Sequence, residues 1–197
     1  MISAFAVHIA LCATAVAIAA AIALPMALVL ADRPALERPL SALLGALYTV
    51  PSLALLAVLV QWVGLGNTSV EIALVTYALY AIFRSTVTGI RAIPFEQREI
   101  ATALGLPRWK RRMRVELPLA FPAILSGLRI ATLGSIALAT LGGYVGGSGL
   151  GALLFTGFAL QNRAMLVQGA LGVVAIALCS ELGFRSIERV ARLRTSA

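Results

Sequence analysis

Apolar side chains run through this chain in long blocks separated by short polar punctuation. From Ile2 to Leu30 the sole ionisable side chain is His8, near the start. A helix needs about 20 apolar residues to cross a hydrocarbon layer, so residues 2–30 predict a first span, long enough to tilt and bent near Pro25. The polar link ADRPALERP then leads into a second span over 40–63, which Pro51 should kink. After the turn GLGNTS a third span occupies 70–90, with Arg84 able to snorkel toward its far end. Residues 91–118 are polar and 123–144 predict a fourth span. The glycine-rich stretch GGYVGGSGLG interrupts the pattern, either as irregular backbone lining a cavity or as an outer loop. Residues 152–160 read as a short interfacial or re-entrant helix, 165–184 as a fifth span, and the basic tail as its continuation out of the bilayer. The expected architecture is all-α: one membrane domain over 1–197 with about five spans.

Composition agrees with lipid as the solvent, with 60% hydrophobic and 12% charged residues and a mean hydropathy of +0.96. The net charge of +8 would elsewhere raise nucleic acid as a partner, but its distribution points to topology. If 91–118 lies inside, the inner regions are 31–39, 84–129 and 185–197, and they hold fifteen of the sixteen Lys and Arg; Arg163 alone falls outside. The positive-inside rule then places the N-terminus outside and the C-terminus in the cytoplasm. The apolar N-terminus has no Lys or Arg ahead of it and exceeds a secretory h-region, so it reads as a retained span.

The segment RAIPFEQREIATALGLPRWKRRMRVELPLAFPAI carries the most pattern, which predicts two short helices joined by a sharp turn. Pro94 can open the first, with Glu96 and Glu99 near its positive end and Ile100, Ala103 and Leu104 as its apolar face. Gly105 suits a left-handed helix terminus, and Pro107 can open a second helix bearing Trp109 and five basic residues. Physics alone leaves two readings of this elbow: a docking element, or an amphipathic loop on anionic headgroups through Arg108, Lys110, Arg111, Arg112 and Arg114.

The spacing within the elbow resembles the cytoplasmic signature of permease subunits of bacterial ABC importers: E-A-A, three residues, G, nine residues, I, one residue, L-P. Here it reads Glu99, Ile100, Ala101, then Gly105, then Val115, Leu117 and Pro118, with apolar exchanges at Ile100 and Val115. In that family the elbow is the coupling helix that docks on the ATPase. The resemblance therefore implies an ATPase-coupling surface made of Glu99, Ile100, Ala101, Leu104, Gly105, Leu106, Arg108 and Trp109. Four further runs, TVPSLALL, YALYAIFRSTVTGI, RVELPLAFPAILSGLRIA and GSGLGALLFTGFA, are similar to permeases of osmoprotectant importers for glycine betaine, choline and carnitine. That similarity implies cytoplasmic ABC ATPase subunits, a second permease subunit in a homo- or heterodimer, a separate extracytoplasmic solute-binding protein, and the bacterial inner membrane.

Other chemistries find little support in the sequence. There is no G-x-x-x-x-G-K-[ST] loop to cradle nucleotide phosphates, so an energy source must sit on a partner. Glu71 and Glu181 read as solvated ends of their spans, His8 as an outer-edge residue, and Cys12 and Cys179 as buried free thiols. No catalytic constellation, metal site or cofactor is expected. Tyr77 and Tyr80 share a helical face that either attracts a quaternary ammonium by cation–π contact or packs in the core; with Tyr144 they are candidate solute-path residues. Trp62, Phe155 and Phe158 fit an aromatic belt. Alternatives to a compatible-solute importer are an importer for amino acids or other small organic solutes and, in another class, a membrane scaffold that binds anionic lipid or a regulatory partner.

Overall fold

The computed structural model describes residues 2–195, with side chains through residue 189. Its described residues form helices and connecting turns alone. In order these are α1 (Ile2–Leu30), α2 (Pro34–Thr49), α3 (Ser52–Val63), α4 (Asn67–Arg91), α5 (Phe95–Ala103), α6 (Arg108–Arg111), α7 (Leu117–Gly142), α8 (Leu150–Ala159) and α9 (Arg163–Thr195). The basic tail continues α9 as a helix to Thr195; Ser196, Ala197 and the side chains beyond 189 lie outside the described residues.

Helix α4 sits at the centre, flanked by α1, α7, α2 and α3. Its neighbours approach closely because small residues face it. Along α1, Ala15, Ala19, Ala23 and Ala27 recur every fourth position and are fully buried, which sets one smooth stripe against α4. Between α4 and α7, a Cβ built on Gly89 would stand 2.5 Å from that of Ala123, one on Gly127 2.7 Å from that of Ser85, and one on Gly142 2.7 Å from Val70. Helix association in lipid relies on such close packing, since lipid tails offer no hydrophobic incentive of their own.

Four lengths exceed what a crossing requires: Ile2–Leu30, Asn67–Arg91, the continuous run Arg108–Val145, and Arg163–Arg189. The expected second span is not a kinked helix. The chain turns by 94° between α2 and α3, because Pro51 supplies no N–H and Val50, just ahead of it, is held extended. The carbonyl this break releases at Val50 accepts a hydrogen bond from the Tyr77 hydroxyl.

The glycine-rich interruption becomes a tight bend from a 3₁₀ turn over Gly143–Val145 into α8. Gly143 and Gly151 touch backbone to backbone, Gly149 packs on the backbone of His8, and Gly169 and Gly172 receive Leu154 and Leu150. Helix α8 thereby folds back along the start of α9 as a hairpin. His8 is fully buried under this bend, and of the two thiols expected to be buried Cys12 is, while Cys179 is exposed. Periodicity inside an all-apolar run could not tell helix-facing from lipid-facing positions. A Gly151→Leu substitution should break the bend, since even a Cβ there lies 2.9 Å from the Ala139 carbonyl oxygen and nearer still to that of Thr140. Overpacking against immovable backbone costs about 1–3 kcal/mol or more. Thermal unfolding in detergent should show a clear loss for Gly151→Leu and none for Gly134→Ala, where nothing stands within 4 Å.

Candidate functional site

The elbow is built by three local devices. Pro94, with ψ of 142°, directs the chain away from α4 and into α5. Helix α5 then ends in a Schellman arrangement, in which Gly105 N–H donates to the Thr102 carbonyl (2.9 Å) and Leu106 N–H to that of Ala101 (3.3 Å). Gly105 adopts φ +69° with open space around it, so its requirement is conformational and not steric. Pro107 starts α6, but the second short helix does not end: residues Arg112–Glu116 form a π-helical turn that joins α6 directly to α7. Such turns interrupt the regular helical ladder and recur at functional sites.

One carboxylate organises the elbow. Glu116 is fully buried. Its side chain meets Arg111 Nε at 3.0 Å, Arg112 Nη1 at 2.7 Å and Arg98 Nε at 4.0 Å. Arg111 also donates to Thr102 Oγ1 (3.1 Å), and Arg98 donates to the Ile90 carbonyl. Helix α5, helix α6, the π turn and the end of α4 are thus held in one ionic frame. Arg112 continues the frame to Asp32, in the link between α1 and α2.

A second buried carboxylate lies one layer further in. Glu37 of α2 accepts from Ser41 (2.5 Å), pairs with Arg91 of α4 at 2.7 Å and faces Arg84 at 3.8 Å. Arg91 Nε in turn donates to the Ala31 carbonyl (3.3 Å). The short link 31–33 is therefore gripped from α4 and from the elbow at once. A third pair, Arg129 of α7 with Glu181 of α9 (Nε to Oε2 2.6 Å), takes in Arg185 at 2.8 Å. Glu181 is paired, not merely solvated, and Glu71 is half-buried and accepts from Thr14 of α1 at 2.5 Å.

The outward face of the elbow is apolar. Ile100, Ala103 and Leu104 form one exposed apolar face of α5, with Leu104 74% and, on α6, Trp109 67% exposed and Phe95 also uncovered, while Ala101 is the buried residue. Glu99 and Arg108 are exposed beside them and Leu106 is half-buried. The reason is the ionic frame: Arg98 and Arg111 turn inward to Glu116, which forces the larger apolar side chains to the outside.

The three candidate tyrosines do not converge. Tyr77 and Tyr80 join Tyr48, with ring centroids 5.4 and 4.9 Å from it, at the α2–α3 break. Tyr48 and Tyr77 line a cavity of about 190 Å³, closed by Ser52, Gly134 and Ser135. Tyr144 lies past the end of α7, 70% exposed and beside Phe155. Sequence reasoning missed Tyr48, Glu37 and Glu116, and read Arg112 as a headgroup contact rather than as the link between Glu116 and Asp32. The signal available for Tyr48 was its position two residues ahead of the Val50–Pro51 break.

A helical membrane core with a protruding, internally braced elbow defines a membrane transport subunit of the importer type. The chain belongs to the family of binding-protein-dependent transport system inner membrane components, whose model matches residues 8–193. It is 33% identical over 181 residues to the carnitine transport permease protein OpuCB of Listeria monocytogenes, covering 92% of this chain and 83% of that one. It is likewise 33% identical over 198 residues to the choline transport system permease protein OpuBD of Bacillus subtilis, covering 98% and 88%. The fold matches a chain of the MetNI methionine ABC transporter in an inward-facing form, with TM-score 0.89 at 20% identity over 97% of this chain and 95% of the other.

Proposed function

We propose that this permease imports a quaternary-ammonium compatible solute such as glycine betaine, choline or carnitine, and that residues 95–118 couple it to a separate ATPase. The observation that carries the coupling is the exposed apolar face of the elbow, Phe95, Ile100, Leu104 and Trp109, mounted on a buried ionic frame. An apolar patch on a polar segment outside the spans marks an interaction surface, and an internally braced one can transmit displacement to a partner that docks on it. Through Arg112–Asp32 and Arg91–Ala31, movement of the elbow reaches α1, α2 and α4.

The names of its relatives, which handle carnitine and choline, support the solute class. The tyrosines around the α2–α3 break add a physical reason, because aromatic faces attract a cation whose charge is spread over methyl groups. In this reading the N-terminus is outside and the C-terminus cytoplasmic, from the distribution of Lys and Arg. Two permease subunits enclose the path, and a binding protein delivers the solute from the outer side. The chain itself works as a transport subunit without an ATP-hydrolysing site, as the missing phosphate loop indicates.

Reconstitution in proteoliposomes with its ATPase and binding protein should give ATP-dependent uptake of labelled glycine betaine, choline or carnitine, and none when the ATPase is left out. Uptake without any ATPase would remove the coupling reading. Uptake of an amino acid in place of these cations would remove the solute assignment alone.

A further inference from the structure

Where the end of α1 meets the elbow, a cavity of about 500 Å³ opens to the surface. A water molecule claims about 30 Å³, so the space suits a molecular headgroup better than a lone ion. Its walls differ in kind. Four guanidinium groups, Arg33, Arg108, Arg111 and Arg112, line the polar side with Asp32. Arg112 and Arg111 are committed to Asp32, Glu116 and Thr102. Arg33 and Arg108 have no carboxylate partner among the described residues. The remaining edge is apolar, made of Leu28 and Val29 in the last turn of α1, and the Trp109 ring completes it.

The apolar edge does not stop at the cavity. Ile18, Ile22, Pro25 and Val29, all exposed, fall at i, i+4, i+7 and i+11 and form one continuous stripe down α1. A soluble anion would use the arginines and leave this stripe bare. A molecule with a phosphate at one end and a hydrocarbon chain at the other would use both.

We propose that this cavity binds the headgroup phosphate of an anionic phospholipid, held by Arg33 and Arg108, with an acyl chain lying along the Ile18–Val29 stripe. The site lies between the first helix and the elbow, so an occupied cavity bridges the α1–α2 link to α6 from the membrane side. Each basic residue near an anionic surface strengthens attraction about fivefold, so the loss of two arginines is worth roughly 30-fold in affinity.

The test is lipid retention by the full purified permease, delipidated and titrated with dioleoylphosphatidylglycerol, then read by native mass spectrometry. Wild-type protein should retain this lipid well above dioleoylphosphatidylcholine. Arg33→Gln/Arg108→Gln should lose about 30-fold, Val29→Gln should weaken retention with every arginine in place, and Arg163→Gln, at the start of α9 and outside the cavity lining, should change nothing. A parallel competition with inorganic phosphate and with glycerophosphoglycerol separates the sources, and both should fail to displace the lipid at equal concentration. Equal retention of the two lipids, or undiminished retention in the double variant and in Val29→Gln alike, would overturn the proposal. So would displacement by the soluble phosphates, which would make the site one for free anions.

Discussion

Permease carrying Glu116→Ala should insert into the membrane with its helical core intact and yet lose the defined shape of its elbow. The carboxylate is fully buried and answers Arg98, Arg111 and Arg112 together. Removing one partner of a buried ion pair typically costs about 3–5 kcal/mol, because the opposite charge is left desolvated and alone. Here three guanidinium groups lose their common acceptor. They can recover solvation by swinging outward, which dismantles the contacts between α5, α6 and the end of α4. Hydrogen exchange should show the effect directly: amides of residues 95–116 should exchange faster, while those of α1 and α4 above the elbow keep their protection. Solute moved per ATP hydrolysed should fall with it. Glu116→Gln, which retains the shape but not the charge, should fall between the two. A hydrophobic replacement of both Glu116 and Arg112 should recover more stability than either single change. Unchanged exchange across 95–116 in Glu116→Ala would show that the frame does not hold the elbow.

The parts of this architecture that were legible in sequence are those encoded by local chemistry. Apolar runs of span length, the proline starts at Pro94 and Pro107, and the left-handed terminus at Gly105 each depend on a few neighbouring residues, and the elbow was recognisable from its spacing alone. The ionic frame was not. Arg112 and Asp32 stand 80 positions apart and Arg129 and Glu181 stand 52 apart, and no periodicity relates residues at such separations. Glu116 looked like one more charge in a basic segment; its burial arises only after the π turn rotates it beneath Arg98. In α5 the inward-facing Arg98 and, from α6, Arg111 occupy the inner side, which leaves Ile100 and Leu104 on the outer one. Within the spans, an all-apolar surround left His8 and Cys179 without any pattern to separate core from lipid.

Leu104→Asp should abolish solute uptake while leaving the permease as stable as the parent. Leu104 is 74% exposed and touches no buried cluster, so the free chain gives up almost nothing; exposed substitutions of this kind usually stay within about 0.5 kcal/mol. The partner loses far more. If Leu104 seats in an apolar groove on the ATPase, a carboxylate there must be desolvated without a counter-charge, and anchors of this sort are worth about 2 kcal/mol or more. That corresponds to roughly 30-fold weaker docking. Glu99→Lys on the same face should act through charge reversal, with a dependence on salt that Leu104→Asp lacks. Gly105→Ala provides the contrast. It adds strain of about 1–2 kcal/mol at a left-handed position with no steric clash, so it should lower the stability of the turn while much of the docking surface survives. The three variants are separable in one preparation by the ATPase recovered per permease, the rate of ATP hydrolysis and the rate of uptake. Leu104→Asp should lower recovery and uptake together, and Gly105→Ala should reduce both only modestly. Parental uptake by Leu104→Asp would exclude the exposed elbow face as the coupling surface, because no other role of that side chain in the fold could mask its loss.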